Sequence, residues 1–211
     1  MDGKNFILDK EKCSKCGLCS KICSGLVIKK DEEGYPYLDQ KLTVHCFECG
    51  HCMAVCPAAS LVFSKTPIRE SPEIDEKLKI SKQQAYQFLR SNRSIRNFTD
   101  ERVTREEITE LLELAACAPT GGNIQDVEWI VIDSREKLAE ISKIVRNYLE
   151  NLVKKSGNMW LLSAEVLGTD REYVFWDAPV AIMATADSQA NISIALTYLD
   201  LYANVMDLGV C

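Results

Sequence analysis

The alternation of apolar and polar positions divides the chain near residue 70. Before that point the apolar runs are short. Residues 5–9 and 34–38 read as brief strands, each ahead of a cysteine run, and Leu61 to Phe63 reads as a closing strand. The stretch Asp31 to Gly34 is charged and turn-like. From Lys65 to Asp75, Pro67 and Pro72 stand among charged residues with little apolar periodicity, which marks a linker. After it the periods lengthen. Ser81 precedes a helical run with Ala85, Phe88 and Leu89 on one face. Thr104 and Glu107 form a capping box before a helix whose apolar face is Ile108, Leu111, Leu112 and Ala115, ending ahead of Ala118-Pro119. Val127 to Ile132 reads as a strand, and Ser134 opens an amphipathic helix to about Val153. Residues 156–170 carry no clear pattern. Ala178 to Ala186 reads as a second, buried strand, and Asp187 or Ser188 then caps a long helix whose apolar run ends at Leu208-Gly209. Helix, helix, strand, helix, strand, helix is a mixed α+β order. The predicted division is 1–68, a linker at 69–80, and 81–211.

Composition narrows the class. Of 211 residues, 46% are hydrophobic and 27% charged, a globular and soluble balance. The net charge of −6 is uneven: residues 1–68 hold nine basic and eight acidic side chains, and residues 69–211 hold sixteen and twenty-three. No basic stripe with interleaved aromatics appears, so nucleic acid is not an expected partner. The apolar patch at the N-terminus is too short for a signal peptide, and no apolar run is long enough for a membrane span. Ten cysteines without a secretion signal point to a reducing, cytoplasmic setting and to metal ligation.

Eight of those cysteines form a duplicated pattern. Cys13, Cys16, Cys19 and Cys23 recur 33 positions later as Cys46, Cys49, Cys52 and Cys56, each run spaced C-x2-C-x2-C-x3-C and the second followed by Pro57. This is the bacterial two-cluster spacing, in which three thiolates wrap one cluster and the fourth reaches the other. On that logic Cys13, Cys16, Cys19 and Cys56 hold one 4Fe–4S cluster, and Cys46, Cys49, Cys52 and Cys23 hold the second. A structural zinc needs only four ligands in two separated pairs, which two full quartets exceed. Ser24 stands where the first run would carry proline, but proline is not a ligand. His51, inside the second run, reads as a solvated or backbone-bonded histidine rather than an extra ligand. By these residues the segment resembles a bacterial 2×4Fe–4S ferredoxin.

A second constellation follows. Arg93, Ser94 and Arg96 form a compact group suited to an anion, since guanidinium forks match phosphate oxygens. About twenty-five residues on, Pro119, Gly121 and Gly122 shape an irregular loop that also carries Thr120, Asn123 and Gln125, polar groups fit for the edge of a flat heterocycle. No G-x-G-x-x-G or G-x4-G-K-[ST] motif is present. Cys117 and Cys211 read as small buried hydrophobes.

Together the two stretches resemble the nitroreductase family of FMN enzymes. Its R-R-S-x-R-x-F motif matches Arg93, Ser94, Arg96 and Phe98. Its A-P-S-x-x-N-x-Q-x-W loop matches Ala118, Pro119, Thr120, Asn123 and Gln125, with Trp129 two places further on. The resemblance covers residues 82–211. It implies an FMN-dependent oxidoreductase with an α+β fold and an obligate homodimer with FMN at the dimer interface. Arg93, Ser94 and Arg96 would face the phosphate and ribityl end, while the loop Pro119 to Asn123 would come from the partner chain. No catalytic residue is expected, because the family's chemistry sits on the flavin. Asn92 replaces the first motif arginine, and the chain stops at Cys211, inside the family's L-G-x-G-[ST]-C-W stretch, so the family's later strand and C-terminal basic phosphate ligand are expected to be missing. The combined expectation is a small ferredoxin-like domain fused to a nitroreductase-like one. Electrons would pass from an external donor (a reduced ferredoxin, a flavodoxin or a nicotinamide-linked reductase) through two 4Fe–4S clusters to FMN and on to a small organic acceptor such as a nitroaromatic or quinone. The alternative is an electron-carrier or docking protein without turnover.

Overall fold

The computed structural model describes residues 6–63, 73–156 and 172–211. These fall into two compact units, Met1–Lys79 with Gly122–Ile124, and Ile80–Gly121 with Gln125–Cys211. Of the unpatterned stretch 156–170, residues 157–170 lie outside the described residues, as do residues 69–72 of the linker.

The first unit is built from three-residue strands and one-turn helices. Strands β1 (Phe6–Leu8) and β4 (Leu61–Phe63) pair antiparallel, as do β2 (Ile28–Lys30) and β3 (Pro36–Leu38). Helices α1 (Leu18–Ile22) and α2 (His51–Ala54) each follow a cysteine loop. The two expected strands at 5–9 and 34–38 are thus shorter, and β2 was not expected at all. Its residues are one apolar Ile28 and two exposed lysines, too few positions to establish a period of two. The core is Cys19, Val27, Ile28, Leu38, Met53, Leu61 and Phe63, with Phe6 edge-on to Phe63 at 6.4 Å.

The 33-residue duplication is carried by the backbone as well as by the cysteines. Left-handed residues occur at Lys15 (φ 57°), Gly17 (75°) and Leu26 (55°), and again at Glu48 (50°), Gly50 (72°) and Ala59 (45°). Strand β2 likewise maps onto β4. Repeated left-handed positions at non-glycine residues mark a backbone that curls around something, because L side chains adopt this region only where the surroundings impose it.

The second unit follows the predicted order. Helix α3 (Lys82–Ser91) has a capping box from Ser81 and Gln84, and α4 (Arg105–Ala115) has the predicted one from Thr104 and Glu107. Strand β5 (Glu128–Ile132) precedes α5 (Arg135–Ser156), and β6 (Ala181–Thr185) precedes α6 (Gln189–Val205). Strands β5 and β6 pair antiparallel, Ile130 opposite Met183. The expectation of a fully buried strand at 178–186 is corrected. Ordered strand is limited to five residues, and Met183 and Ile130 are 42% and 51% exposed, because among the described residues β6 pairs only with β5 and one face of the ribbon is left uncovered. Leu89 of α3 is likewise exposed.

The core of this unit is the seam where α4 packs on α6. Ile108, Leu111 and Ala115 are buried on one helix, and Ala195, Leu199 and Ala203, spaced four apart, on the other. Alanines at 115, 195 and 203 let the two backbones come close. No helix among the described residues is long and apolar enough to cross a membrane.

Leu199, 4% exposed, fills the middle of this seam. Leu199→Ala is expected to lower stability by roughly 2–5 kcal/mol, and Thr104→Ala by about 1 kcal/mol through loss of the cap. Urea unfolding of both variants measures this, and a near-neutral Leu199→Ala would contradict the packed seam.

Candidate functional site

Two cavities in the first unit gather the eight cysteines into two sets of four. Cys13, Cys16, Cys19 and Cys56 line one, together with Lys15, Gly17, Pro36 and Ser60. Cys23, Cys46, Cys49 and Cys52 line the other, with Phe47, Glu48, His45 and His51 among its neighbours. The fourth cysteine of each run therefore crosses to the cavity of the other run. The kinks at Lys15, Gly17, Glu48 and Gly50 lie between the first and third cysteines of each run, where the chain must turn inward.

The thiols do not share one environment. Leu18 N–H and Ser14 bonds hold the Cys16 thiol below its ordinary range. At Cys56 burial pushes upward, but bonds from Ser60, whose N–H lies 3.4 Å from the sulfur, outweigh it and leave the thiol lowered. Burial pushes Cys19 and Cys46 up, and Cys52 up to about 11. Thiols of raised pKa packed against other thiols suit ligation to cationic iron, which supplies the charge that keeps them deprotonated. Among the described residues, no group of three or more His, Cys, Asp or Glu side chains is placed to hold a single metal ion. The donor set, all sulfur and four to a cavity, fits an iron–sulfur cluster. His51 is exposed at the rim of the second cavity.

In the second unit the predicted anion group lies just past α3. Arg93 is exposed, and its Nη1 donates to the carbonyls of Arg90 at 2.8 Å and Asn92 at 2.6 Å, completing the end of α3. The Arg96 guanidinium lies 5.7 Å from the Trp176 ring centroid, and Ser94 is exposed. Asn92, where the resemblance expected arginine, instead donates to Asp200 at 2.6 Å and accepts from Asn204 at 3.4 Å, so it fastens the end of α3 to α6. Ile95 N–H bonds to Val210 O at 2.8 Å alongside it.

The loop 118–127 is tied elsewhere. Gly122, Asn123 and Gln125 are left-handed, at φ 60°, 56° and 50°. Two of its N–H groups are occupied from within: Gln125 N–H donates to Thr120 Oγ1 at 3.0 Å, and Gly121 N–H to Asn191 Oδ1 at 3.1 Å. Pro119 is exposed. Asn191, 4% exposed, also donates to Asp126 at 2.8 Å, and Asp126 accepts the Asp187 N–H at 3.0 Å. The Asn191 bond, above all, holds the Asp126 carboxyl below its ordinary range. Sequence reading missed Asn191 and Asp126. The available signal was an asparagine four places before Ala195 on the stripe that continues to Leu199 and Ala203, a buried polar group that must be satisfied.

Thus the two predicted stretches are not brought together in one chain. The loop is fastened at Asn191, near the start of α6, and the arginine segment at Asp200 and Asn204, near its end. Nine to thirteen residues of helix separate them by about 14–20 Å.

A third feature was also unforeseen. Trp176 and Asp177 are both left-handed, φ 57° and 59°, an unusual backbone for so bulky a residue as tryptophan. The Glu172 carboxylate holds this turn, accepting from Ser142 Oγ (2.6 Å) and from the N–H groups of Val174 (2.8 Å), Phe175 (2.7 Å) and Asp177 (3.3 Å). Burial works against its charge, but these bonds outweigh it and hold the carboxyl below the usual range. Cys117 and Cys211 are exposed rather than buried. Cys117 follows the last turn of α4, its thiol donating to Glu113 O at 3.6 Å.

Two outcomes test this network. Asn191→Leu should destabilise the protein by about 1–3 kcal/mol, since Gly121 N–H loses its acceptor within the structure, and a calorimetric change near zero would refute the clamp. Because the folded pKa of Glu172 is depressed, its stabilisation is present above the ordinary carboxyl range and lost as pH falls through the folded value. Tryptophan emission should therefore change on acidification in the wild type, and this component should be absent in Glu172→Gln.

Comparison with known proteins supplies the family. A family model described as 4Fe-4S dicluster domain matches residues 12–61, and one described as nitroreductase family matches residues 89–211. Iodotyrosine deiodinase 1 of Sus scrofa is 29% identical over 103 residues, 48% of this chain and 36% of that protein. The 4-nitrobenzoate reductase of Nocardioides sp. (strain LMS-CY) is 37% identical over 61 residues, 29% of this chain and 25% of that protein. A solved FMN-dependent nitroreductase from Clostridium difficile R20291 aligns with a TM-score of 0.50 at 25% identity, covering 62% of this chain and 60% of that one. The matched stretch thus spans well under half of these curated relatives. With the second match extending over more than half of its residues, and a dicluster domain ahead of it, this chain belongs to the nitroreductase family.

Proposed function

We propose that the chain is an iron–sulfur flavoprotein oxidoreductase that takes electrons from an external donor and delivers them to a small organic acceptor such as a nitroaromatic or quinone. The observation that carries this reading is the sorting of eight thiols into two cavities of four, with exchanged fourth members. In this reading residues 1–68 form the two-cluster domain, 69–80 the linker and 81–211 the flavin domain. Cys13, Cys16, Cys19 and Cys56 ligate one 4Fe–4S cluster, and Cys23, Cys46, Cys49 and Cys52 the other. When bound, the clusters relay single electrons and FMN supplies the two-electron step.

The chain's own groups have these roles. Backbone and hydroxyl donors at Cys16 and Cys56 favour the ionised sulfur. Arg96 and Arg93, with Ser94, receive the FMN phosphate, while Thr120, Asn123 and Gln125 on their irregular loop, with Pro119 and Gly121, meet the edge of the isoalloxazine. Since these two groups are fastened to opposite ends of α6, one flavin is completed by two chains, and a homodimer follows. The names of the relatives, a 4-nitrobenzoate reductase and an FMN-dependent nitroreductase, support the acceptor class and the flavin. Unpaired thiols at all ten cysteines suit a reducing, cytoplasmic setting. The carrier reading without turnover draws on one observation, the engagement of Arg93 with its own helix end.

Anaerobically purified protein should carry about eight irons per chain, two cubanes by ligand count, and one FMN. Stoichiometric zinc in place of iron would refute the cluster reading. A charge-assisted contact is worth about 1.5–3 kcal/mol, so Arg96→Ala should weaken FMN roughly ten- to a hundredfold and leave riboflavin unchanged. Equal weakening of both ligands would remove the phosphate assignment. Sedimentation should show a dimer whenever flavin is bound; a monomer with full flavin occupancy would exclude the shared site.

A further inference from the structure

The duplicated backbone permits a position-by-position comparison of the two thiol cavities, and the comparison is not symmetric in charge. Lys15 and Glu48 are equivalent residues, 33 apart, in the same left-handed conformation at φ 57° and 50°. Each lies one residue before the second cysteine of its run and lines the cavity of that run, Lys15 the first and Glu48 the second. A second pair repeats the difference. Lys30 ends β2 and Phe63 ends β4, again 33 apart. The Lys30 amine lies against Gly17 of the first cavity, 2.5 Å from where a Cβ on that glycine would stand. Phe63 in the corresponding place is buried and lines the second cavity.

The ammonium of Lys15 is not left to wander. It stands 4.0 Å from the Tyr35 ring centroid, next to Pro36 of the same cavity wall. Lys10 lies over that ring at 4.6 Å and is 3.7 Å from Glu33, and Asp31 accepts the Tyr35 N–H at 2.7 Å. The first cavity therefore has Lys15 on its wall and Lys30 beside Gly17, where the second has Glu48 and Phe63 at the equivalent positions, with His45 and His51 also on its wall.

Adding an electron to a cluster makes it more negative, which a nearby cation favours and a nearby anion opposes. We propose that Lys15, Lys30 and Glu48 set unequal reduction potentials for the two cluster sites, so that the site of Cys13, Cys16, Cys19 and Cys56 is reduced first. This rests on the two-cluster reading above. The step is a single-electron transfer from a one-electron reductant; no bond forms and no proton moves. The inequality gives electrons a preferred resting place within the unit, and the external donor meets the higher-potential site as its thermodynamic target.

The test is a redox titration of the cluster-loaded protein with dithionite and mediators, followed by EPR, which separates cluster signals from flavin. Wild type should show two one-electron steps. Lys15→Gln should lower the upper step alone and Glu48→Gln should raise the lower step alone. The expected change is roughly tenfold in the oxidised-to-reduced ratio, about 59 mV for one electron. Lys15→Arg should leave the upper step in place, and Lys15→Glu combined with Glu48→Lys should narrow or invert the gap. A single unresolved step in wild type overturns the proposal, as do variants that keep their iron while neither step moves, or a Lys15→Gln that shifts the lower step. Should Lys15→Gln lose iron, Glu48→Gln decides alone. Iron and sulfide content separates this from failure of the underlying reading: wild type with far fewer than eight irons refutes the two-cluster assignment, whereas full iron with equal potentials refutes only the charge inference.

Discussion

The exchange of Cys23 and Cys56 between the two cavities is the constraint on which the first unit depends. Each cavity is closed by a residue from the opposite repeat, so neither repeat is complete by itself. The secondary structure around it is slight: paired strands of three residues and helices of four or five. Among the described residues its core holds seven buried side chains, of which Val27 and Met53 come from the two repeats separately. A core of this size is marginal without a cross-link or a metal. If the cavities bind iron–sulfur clusters as proposed, ligation supplies much of the folding energy, because the site exists only in the folded chain.

In the second unit the comparable constraint is α6. Its buried stripe of Asn191, Ala195, Leu199 and Ala203 does two jobs along one face. The apolar members pack on α4. The polar member, Asn191, would be costly to bury alone, and it is satisfied by the loop that carries Gly121 and Asp126. Toward the other end, Asp200 and Asn204 hold Asn92 and with it the turn into Arg93 to Arg96. One rigid helix thereby fixes the separation between the two stretches that a flavin would need. Left-handed positions at Asn123 and Gln125 lie in the loop fastened at Asn191, and those at Trp176 and Asp177 lie in the turn held by Glu172.

The two units also differ in how their chemistry is encoded. Each thiol cavity takes three of its four cysteines from one short run, and the charge difference between the cavities comes from single substitutions on a repeated frame, Lys15 for Glu48 and Lys30 for Phe63. The arginine segment and the loop are each local, but their relation to one another is not.

Read alone, the sequence determined what depends on spacing and period. The 33-residue cysteine repeat, the capping box at Thr104 and Glu107, the apolar face of α4 and the order of elements in the second unit were all legible, since each is a local regularity of period two, three or 3.6. Strand β2 was not legible, because three residues carry no period. The burial of the 178–186 strand was misjudged, since an apolar run does not say how many neighbours will cover it, and only the sheet shows that among the described residues β6 has β5 alone. Cys117 and Cys211 were misjudged for the same reason. Only the tertiary structure decided that Asn92 bonds to Asp200, that Glu172 gathers three backbone N–H groups, and that the loop and the arginines sit at opposite ends of α6. These are contacts between residues up to 112 apart, fixed by packing geometry rather than by any pattern along the chain.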